Sequence, residues 1–553
     1  MSPPRFTRDD VAASWRDALA LWDVHVQLSP PEPHERFRPD TSHAQEPLAY
    51  IDLVKRQVFV NFDLLEAMEA TGSLTAVLAH EIGHHARFPH TLGWDAELRV
   101  QEQRLIPGLK QSLTNLFYDL QVNEVVGRTH AEALCAVYRG FQRVQGGVMS
   151  PLFFFYLAVY EELWGLAPGA LVPQSQLAPM EARFPGVRAE ARMFAQTFYS
   201  LPNGKLQFLY FCATFIRYIE NPAEFEFCLP LGGDVSVPDA DDLDAAIHGS
   251  SRWDDAMEEA EERGWLEPMS TRSREQDDLS TIYRVTEHLP GVGAGTLRQA
   301  LVAKHYRRLV DRHLLQLPTA PSQPEPYLRT LPQAWEYGDD PSSIDWTLTV
   351  LSQGHLAAVS PLRRELEADL PPPSELGVPS MEIYLDTSGS MPNPEVSLNA
   401  MTLAAQVLSA SALRKKATVR GVVYSHGDPL VSPWMYDEET AREFLLSYIG
   451  GGTQFPFDVM GELSRERPDA LRILISDSDF LSNVAREKNL EPVLASIRRS
   501  RLVVAFLALP NEQRAREALA PLLRERRFRL VIVRWPSDFG KAAGDLAQAL
   551  LEN

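Results

Sequence analysis

The spacing of apolar and polar residues divides the chain into a helix-rich first part and a later part in which strands and helices alternate. Apolar and polar residues alternate over residues 49–62, which predicts two short antiparallel strands joined by a turn at Lys55 and Arg56. A helix is predicted over residues 74–87, because a stop-and-cap signal precedes it and a proline follows it. Apolar residues recur at helical spacing in three further stretches, residues 112–126, 151–166 and 205–219.

From residue 378 onward the pattern changes to short β-branched runs separated by helical stretches. The runs are MEIYLD, TVRGVVYS, LRILISDSD, RLVVAFLAL and FRLVIVRW. Alternating apolar strands and helices predict a parallel sheet covered by helices on both faces, that is, a doubly wound (Rossmann-like) α/β domain. Ligands of such domains bind at the carboxyl ends of the strands.

Shifts in composition indicate where these parts are joined. Residues 233–280 are strongly acidic, and such a charge run predicts solvated helix and loop. Proline-rich segments at 319–326 and 369–380 predict linkers. We therefore expect a mostly helical part with a short β-hairpin or small sheet over residues 1–230, an acidic helical and linker region over 231–377, and the α/β domain over 378–553.

The bulk composition narrows the functional classes. A chain of 553 residues is too long for one hydrophobic core, and 45% hydrophobic with 23% charged residues is typical of globular proteins. The net charge of -21 argues against nucleic acid as a partner, because phosphate binding requires a basic face. The three cysteines form no close pair, which argues against a disulfide framework. With neither a signal-peptide core nor an apolar stretch long enough to span a bilayer, a cytoplasmic protein is expected.

The residues His80, Glu81 and His84 form an H-E-x-x-H sequence on the predicted helix of residues 74–87. On a helix the two histidines lie one turn apart on the same face, with Glu81 beside them. This arrangement provides two zinc ligands and a general base that activates water for hydrolysis. The preceding pair of strands would border a cleft for an extended peptide, since an edge strand can pair with a bound peptide.

Zinc needs a third protein ligand, and three residues compete for that role. Asp119 lies in a polar seam of a predicted helix, where buried polar residues among apolar ones need a partner. His90 has the spacing of a third histidine, but Arg87 occupies the position where that pattern has a glycine. Glu124 projects away from the seam and is expected to be exposed. We predict Asp119 as the third ligand and Asn123 as a residue that supports the ligands from behind.

The same residues also allow a structure without metal. In that alternative, the two histidines and Asp119 form a hydrogen-bonded polar core. Nearby tyrosines are candidate hydrogen-bond donors to a transition state, although the simpler interpretation places them in the aromatic core. They are Tyr118, Tyr156 and Tyr160.

A second set of candidate metal ligands lies in the α/β domain. Asp386, Ser388 and Ser390 directly follow the predicted strand MEIYL, which places one carboxylate and two hydroxyls at the mouth of the sheet. Thr453 follows three glycines, and Asp477 ends the strand LRILIS. Five oxygen donors with few full charges suit Mg²⁺ or Mn²⁺, with one open position for a carboxylate of a partner. This is the residue pattern of the metal-ion-dependent adhesion site of von Willebrand factor A domains.

With both sets of residues in view, the chain resembles a bacterial family of von Willebrand factor A-domain proteins with an N-terminal HExxH metallopeptidase-like domain. The similarity runs nearly end to end, through HEIGHH, NLFYDLQVNE, VYRGF, WEYGDDPSSIDW, LDTSGSMPNP and GGGTQFPFDV. The resemblance implies a zincin-like fold for residues 1–230, the A-domain fold for residues 378–553, and a partnership with a MoxR-type AAA+ ATPase. His90 departs from the family pattern, which has a small residue there.

Two functions from different classes follow from these residues. The first is a zinc-dependent metallopeptidase, a hydrolase in which Glu81 takes a proton from water while the A domain recruits a protein or peptide substrate, or an ATPase, through Mg²⁺. The second is a non-catalytic adaptor or co-chaperone that recruits client proteins to an AAA+ ATPase. The expected cofactors are Zn²⁺ and either Mg²⁺ or Mn²⁺, and the expected partners include neither nucleic acid nor membrane.

Overall fold

The structure is a computed structural model, and it divides into two compact units. The first unit comprises Met1–His305 and Glu395–Ser397, and the second comprises Tyr306–Pro394 and Leu398–Asn553. The chain is therefore multidomain, as its length predicts. The boundaries expected at residues 230 and 377 stay a prediction. The residues that the structure describes are 6–22, 26–31, 47–52, 55–145, 149–225, 231, 237–267, 274–287, 289, 294–315, 326–328, 332–353, 361–363, 366–368, 380–485, 487–509 and 512–532.

The first unit is built mainly from helices and contains a β-hairpin. The last residues of its final helix belong to the second unit. Its elements are α1 (Arg8–Trp22), β1 (Ala49–Asp52), β2 (Gln57–Val60), α2 (Phe62–Ala67), α3 (Leu74–Ala86), α4 (Leu92–Leu105), α5 (Thr114–Gln145), α6 (Pro151–Leu163), α7 (Gln174–Arg183), α8 (Val187–Phe198), α9 (Gly204–Phe215), α10 (Ala240–His248), α11 (Asp254–Glu262), α12 (Arg274–Glu287) and α13 (Ala294–Arg312).

The hairpin and the helices predicted from apolar spacing are confirmed. β1 and β2 pair antiparallel, with Ala49 opposite Val60 and Asp52 opposite Gln57. The four predicted helices are found as α3, α5, α6 and α9. α5 continues well beyond its predicted end, and its backbone is bent at His130. The hairpin and α3 are close in sequence and pack together, so the strands lie beside the helix that carries the HExxH residues.

α3 runs through the interior of the first unit. Every residue from Ala76 to His84 is buried, and α1, β1 and α5 pack around the helix. Trp22, at the end of α1, donates its indole N–H to the carbonyl of Ala79 at 2.7 Å. The two histidines of the motif therefore face other helices and not solvent.

Gly83 allows α3 to approach its neighbours closely. A Cβ at this position would lie 2.4 Å from a ring carbon of Trp22 and 2.7 Å from a methyl group of Val122. Both distances are far shorter than a carbon–carbon contact, and both neighbours are buried. The glycine in HEIGHH is therefore required by packing between helices.

Gly83→Ala is expected to destabilise the protein by about 1–3 kcal/mol, the usual cost of overpacking a core. Alanine has the better helix propensity, by about 1 kcal/mol, but the clashes outweigh that gain. Urea unfolding of both proteins measures the difference. Gly72→Ala is the matched control, because a Cβ at Gly72 meets nothing within 4 Å. A more stable Gly83→Ala protein would contradict the packing argument.

The second unit alternates strands and helices. Besides one large sheet it contains two small two-stranded sheets, β3 with β6 and β4 with β5. Its elements are β3 (Pro326–Leu328), β4 (Gln333–Ala334), α14 (Trp346–Gln353), β5 (Leu362–Arg363), β6 (Leu366–Ala368), β7 (Met381–Asp386), α15 (Ala400–Leu413), β8 (Val419–Tyr424), β9 (Leu430–Val431), α16 (Glu438–Leu445), α17 (Phe457–Glu466), β10 (Leu471–Ser476), α18 (Asp479–Val484), α19 (Glu487–Arg499), β11 (Leu502–Leu507), α20 (Glu512–Ala518), α21 (Ala520–Leu523) and β12 (Phe528–Ile532).

The large sheet has six strands in the order β12-β11-β10-β7-β8-β9. Neighbouring strands are parallel except β8 and β9, which pair antiparallel. The predicted α/β sheet is confirmed, and it is mixed because β9 is an antiparallel edge strand that the apolar pattern did not predict. The chain order reverses between β7 and β10. The carboxyl ends that face this switch point are Asp386 and Ser476, where open α/β sheets bind their ligands.

The acidic stretch of residues 233–280 contains α10, α11 and the start of α12. Leu243 and Ile247 of α10 are buried, so these acidic helices carry apolar faces as well as solvated ones. The proline-rich segments predicted as linkers lie almost wholly outside the described residues. Among the described helices, none is both long and apolar enough to cross a membrane.

Candidate metal centre

Three side chains from two helices meet inside the first unit. His80 and His84 come from successive turns of α3, and Asp119 comes from α5. The two Nε2 atoms are 3.0 Å apart. Oδ1 of Asp119 lies 3.4 Å from Nε2 of His80 and 3.3 Å from Nε2 of His84. The three residues predicted as zinc ligands are thus within reach of a single ion.

The other ring nitrogens indicate the tautomer of each histidine. Nδ1 of His84 lies 2.9 Å from the backbone carbonyl oxygen of Phe88, which can only accept a hydrogen bond. Nδ1 of His80 lies 2.7 Å from Oδ1 of Asn123, whose amide nitrogen donates to two tyrosine hydroxyls. Each Nδ1 therefore carries the proton, and each Nε2 directs a lone pair at the centre.

This set of donor atoms fits zinc. Two lone pairs and a carboxylate oxygen at such short separations repel one another unless a cation lies between them. Tetrahedral zinc, with ligand distances of about 2.0–2.1 Å, places its ligand atoms about 3.3–3.4 Å apart. Among the described residues, Oδ1 of Asp119 has no hydrogen-bond partner, as expected of an atom that coordinates a metal. Three protein ligands would leave a fourth position open.

Asp119 is 1% exposed, and its neighbours favour the ionised form. Burial acts to raise the pKa of Asp119, but protons on Nε2 of His80 and His84, which a bound cation would replace, outweigh it and hold that pKa below its ordinary value. Oδ2 accepts a long hydrogen bond, 3.4 Å, from the hydroxyl of Tyr156. A metal ligand must be deprotonated, so this environment suits the role.

A layer of buried tyrosines supports the ligands from behind. The amide nitrogen of Asn123 donates to Tyr138 at 3.1 Å and to Tyr160 at 2.9 Å, and the hydroxyls of Tyr156 and Tyr160 are 2.8 Å apart. Burial raises the pKa of all three tyrosines, so the hydroxyls stay protonated. Tyr156 and Tyr160, which lie one turn apart on α6, were predicted from the sequence, whereas Tyr138 was not.

Glu81 is buried together with the ligands. His80, Glu81 and His84 are all 0% exposed. A peptide cannot reach these groups in this conformation, so hydrolysis requires the surrounding layer to open. A carboxylate beside the open position of a metal can accept a proton from water and return it to a leaving group.

The two alternative third ligands lie elsewhere. His90 is exposed, and its Nδ1 lies 3.2 Å from the carbonyl oxygen of His85. Glu124 pairs with Arg128, one turn further along α5, at 2.6 Å. Neither side chain belongs to the metal-competent group of the first unit. Asp119 is thus the candidate that lies with the histidines.

A charged network on α4 adjoins the centre. The ring of Tyr118 packs edge-on against that of His84, with 6.5 Å between centroids, and its hydroxyl donates to Asp95 at 2.8 Å. Asp95 also accepts from Arg99 at 2.7 Å. Glu102 lies further along the same helix and is 1% exposed. Burial raises the pKa of Glu102 to about 7.

Glu102→Gln is expected to remove a pH-dependent loss of stability. The pKa of Glu102 is about 7 in the folded protein and 4.5 for an ordinary glutamate, so the folded state binds the proton more tightly. Raising the pH through that window costs the wild type stability, on the order of 3 kcal/mol once the carboxyl is ionised. Glutamine cannot ionise and can still accept from the N–H of Leu113, which lies 2.7 Å from the glutamate.

Urea unfolding between about pH 5 and pH 8 measures this difference, because the free energy of unfolding follows the protons bound by each state. Above about pH 7 the Glu102→Gln protein should be the more stable one, and its stability should vary less with pH. Glu258→Gln, an exposed site on α11, controls for the substitution itself. Parallel pH profiles of wild type and Glu102→Gln would contradict the argument.

The oxygen ligands predicted in the second unit begin at the carboxyl end of β7. Asp386 is 0% exposed. Its Oδ1 accepts from the backbone N–H of Ser388 at 2.9 Å, and its Oδ2 accepts from the hydroxyl of Ser476 at 2.5 Å. The hydroxyls of Ser388 and Ser390 are 3.1 Å apart. Burial raises the pKa of Asp386. One carboxylate and three hydroxyls therefore meet at the switch point of the sheet.

Two loops bring the remaining predicted ligands to the same end of the sheet. The backbone N–H of Gly389 donates to the carbonyl of Gly451 at 2.7 Å, which joins the loop after β7 to the glycine loop before Thr453. The hydroxyl of Thr453 donates to Asp479 at 3.0 Å. Asp477 accepts from the backbone N–H of Asp479 at 2.8 Å. Ser476 and Asp479 were not predicted from the sequence, although both lie within two residues of the predicted Asp477.

The two sites define a chain with an HExxH centre in a helical unit and an oxygen-rich cluster in an α/β unit. Residues 28–94 match Peptidase family M48. This match supports a metallopeptidase class for the first unit. The matched span includes His80, Glu81 and His84, and it ends before Asp119.

Solved structures similar to the chain include a von Willebrand factor type A protein from Catenulispora acidiphila. It is 16% identical, over 32% of this chain and 43% of that one, with a TM-score of 0.24. The RO (RSR) protein of Deinococcus radiodurans is 11% identical, over 87% of this chain and 90% of that one, with a TM-score of 0.19. The chain thus spans less than half of the first structure, and neither TM-score is high enough to support an argument. No curated protein gives a significant match.

Proposed function

We propose that the protein is a zinc-dependent metallopeptidase whose zinc is held by His80, His84 and Asp119. The observation that carries the proposal is the triangle of two Nε2 atoms and one carboxylate oxygen, with edges of 3.0, 3.3 and 3.4 Å, whose two histidines share α3 with Glu81. A polar core without metal accounts less well for this triangle, because all three atoms are acceptors. The match of residues 28–94 to Peptidase family M48 supports the same class.

The residues around the triangle have distinct roles in this proposal. When held by His80, His84 and Asp119, zinc would act as a Lewis acid toward the peptide carbonyl and would lower the pKa of water. Glu81 takes the proton of the attacking water and returns it to the leaving amine. Asn123 and the carbonyl of Phe88 accept from the Nδ1–H groups of the histidines and so keep both Nε2 lone pairs turned inward. Burial excludes bulk water and strengthens these interactions.

Metal analysis combined with a cleavage assay tests the proposal. The full-length protein should cleave an unfolded protein substrate, lose that activity in a chelator, and regain it when zinc is added. His84→Ala should lack both the zinc of this centre and the activity, because only two ligands remain. Cleavage that persists in the chelator, or in His84→Ala, would rule out zinc-dependent hydrolysis at this centre.

We further propose that the second unit is a von Willebrand factor A domain that binds Mg²⁺ or Mn²⁺. The support is the buried carboxylate of Asp386, with hydroxyl groups around it, at the switch point of the sheet. Oxygen donors with few full charges suit a hard cation, and a carboxylate of a partner would complete its coordination. The proposed ligands are Asp386, Ser388, Ser390, Thr453 and Asp477.

The proposed partner of this domain is a MoxR-type AAA+ ATPase. Pull-down of such an ATPase by the full-length protein, with and without a chelator, tests the partnership. Asp386→Ala should weaken capture as strongly as the chelator does, because it removes the one buried carboxylate among the proposed ligands. Capture that ignores both the chelator and the substitution would contradict a metal-bridged contact.

A second candidate function is a non-catalytic adaptor that recruits client proteins to an AAA+ ATPase. The observation that favours it is the complete burial of Glu81 and both histidines, which is typical of a structural metal site. An adaptor would retain zinc and still bind the ATPase, but it would not cleave any substrate. The two functions are therefore separated by the cleavage assay and not by metal content.

A further inference from the structure

A second group of side chains of the types that bind metals lies among the acidic helices of the first unit. His248 ends α10, Asp278 lies on α12 and His305 lies on α13, and one ligand atom of each is within 4.8 Å of the other two. Asp278 is 8% exposed and His305 is 2% exposed. The side chain of His248 is 20% exposed. The three residues lie on three separate helices, so no short motif indicates the group.

The two ring nitrogens of His248 both face carboxylates. Nδ1 lies 3.4 Å from Oδ2 of Asp278, and Nε2 lies 3.7 Å from Oδ1 of Asp244. Both distances are longer than an ordinary hydrogen bond. Within the part of the chain that the structure describes, Nε2 of His248 is buried without a hydrogen-bond partner. The ring of His305 stacks on that of His248 at 5.5 Å, with 17° between the planes.

Arg104 orients the carboxylate of Asp278. Its Nη2 donates to Oδ1 of Asp278 at 3.0 Å and to the carbonyl of Ile247 at 2.9 Å. One carboxylate oxygen is thus held by the guanidinium, while the other faces His248. Carboxylates that bind metals are commonly oriented in this way, by a hydrogen bond to the oxygen that does not coordinate.

The charge and chemistry of the group select the class of ion. The negative charges of Asp244 and Asp278 exceed the positive charge of Arg104, so a cation is favoured. Imidazole nitrogens suit zinc and similar transition metals, whereas Mg²⁺ and Ca²⁺ prefer oxygen ligands throughout. Tetrahedral zinc requires ligand atoms about 3.3 Å apart, which small rotations of these side chains would achieve.

We propose that His248, Asp278 and His305 bind a second divalent transition-metal ion of the zinc class. The ion joins α10, α12 and α13 at one point, so its role is structural, because it holds these helices of the first unit together. This site is independent of the proposed peptidase centre, since the two groups share no residue.

Cobalt titration of the metal-free, full-length protein tests this second site, because tetrahedral Co²⁺ absorbs visible light strongly. Excess Mg²⁺ keeps cobalt out of the oxygen-rich cluster of the second unit. The wild type should bind two cobalt ions with tetrahedral absorption, and His248→Ala and His305→Ala should each bind one. His248 is the more exposed of the two histidines, so its variant serves if replacement of buried His305 prevents folding.

The cobalt content of variants in each centre distinguishes the two centres. His84→Ala should retain the cobalt of the second site, and the combination of His84→Ala with His248→Ala should bind none. A wild type that binds no tetrahedral cobalt, or a His248→Ala protein that binds as many cobalt ions as the wild type, overturns the proposal. If His84→Ala alone leaves the cobalt content unchanged, the peptidase centre fails while the second site stands. His130→Ala, on α5 and outside both groups, is the control.

Amide hydrogen exchange provides a readout that does not depend on absorption. Zinc should slow exchange in α10 and α12 of the wild type, because a shared ion resists local opening of both helices. In His248→Ala the same addition should leave the exchange of these helices unchanged. Equal protection by zinc in both proteins would overturn the structural role.

Discussion

Glu81→Gln is expected to lower the rate of peptide hydrolysis by about 10²–10⁴-fold, the usual contribution of a general base. Glutamine has the shape of glutamate but cannot accept the proton of the attacking water. The zinc content should stay that of the wild type, because Glu81 is not part of the group formed by His80, His84 and Asp119. Cleavage of an unfolded protein substrate and zinc per chain are measured on the same preparation.

Glu124→Gln is the matched control for this variant. It changes the same functional group on α5, where Glu124 pairs with exposed Arg128, and it should leave both zinc content and hydrolysis unchanged. It also tests the alternative third ligand directly. Unchanged hydrolysis in Glu81→Gln, with zinc retained, would exclude this residue as the base. Absence of hydrolysis in the wild type itself would favour the adaptor.

Zinc is expected to stabilise the first unit by about 4 kcal/mol when free zinc is 1,000-fold above its dissociation constant. The physical reason is that the folded unit presents three acceptor atoms 3.0–3.4 Å apart, and the unfolded chain does not. In Asp119→Ala one ligand is lost. If the affinity falls at least about 100-fold, the same zinc concentration stabilises that variant by about 1.4 kcal/mol or less. Calorimetric unfolding of metal-free protein, with and without zinc, measures both values.

Two further variants make this test specific. Asn123→Ala removes the hydrogen bond to His80 and should weaken zinc binding by about 10–100-fold, so its stabilisation should lie between those of wild type and Asp119→Ala. His90→Ala should behave like wild type. All four proteins keep the His248 group, so zinc bound there cancels in the comparison. Equal stabilisation of wild type and Asp119→Ala would exclude Asp119 as a ligand.

Much of the fold could be predicted because it depends on local periodicity. The alternation over residues 49–62 correctly predicted the hairpin of β1 and β2, and helical spacing correctly predicted α3, α5, α6 and α9. The antiparallel edge strand β9 has only two residues, too few for a periodic signal. The continuation of α5 to Gln145 was not predicted either. Packing against neighbouring helices can keep a chain helical on both sides of a bend such as the one at His130.

The candidate sites were predictable to the extent that their residues are close in sequence. Helical geometry alone placed His80 and His84 on one face, and the position after a strand placed Asp386 at the mouth of the sheet. Asp119 was inferred only from a polar seam among apolar residues. Tyr138 and Ser476 gave no signal, because each looks like an ordinary core residue until its hydrogen-bond partner is known.

Spacing over a few residues was enough to predict the HExxH pattern on a helix, the alternating α/β architecture and the oxygen donors after β7. The acidic residue that joins the histidines, and the group around His248, became visible only in the folded chain. The reason is that these sites are assembled by helix packing. Gly83 allows α3 to lie close to α5, and this approach, which no local pattern encodes, brings Asp119 within 3.4 Å of both histidines.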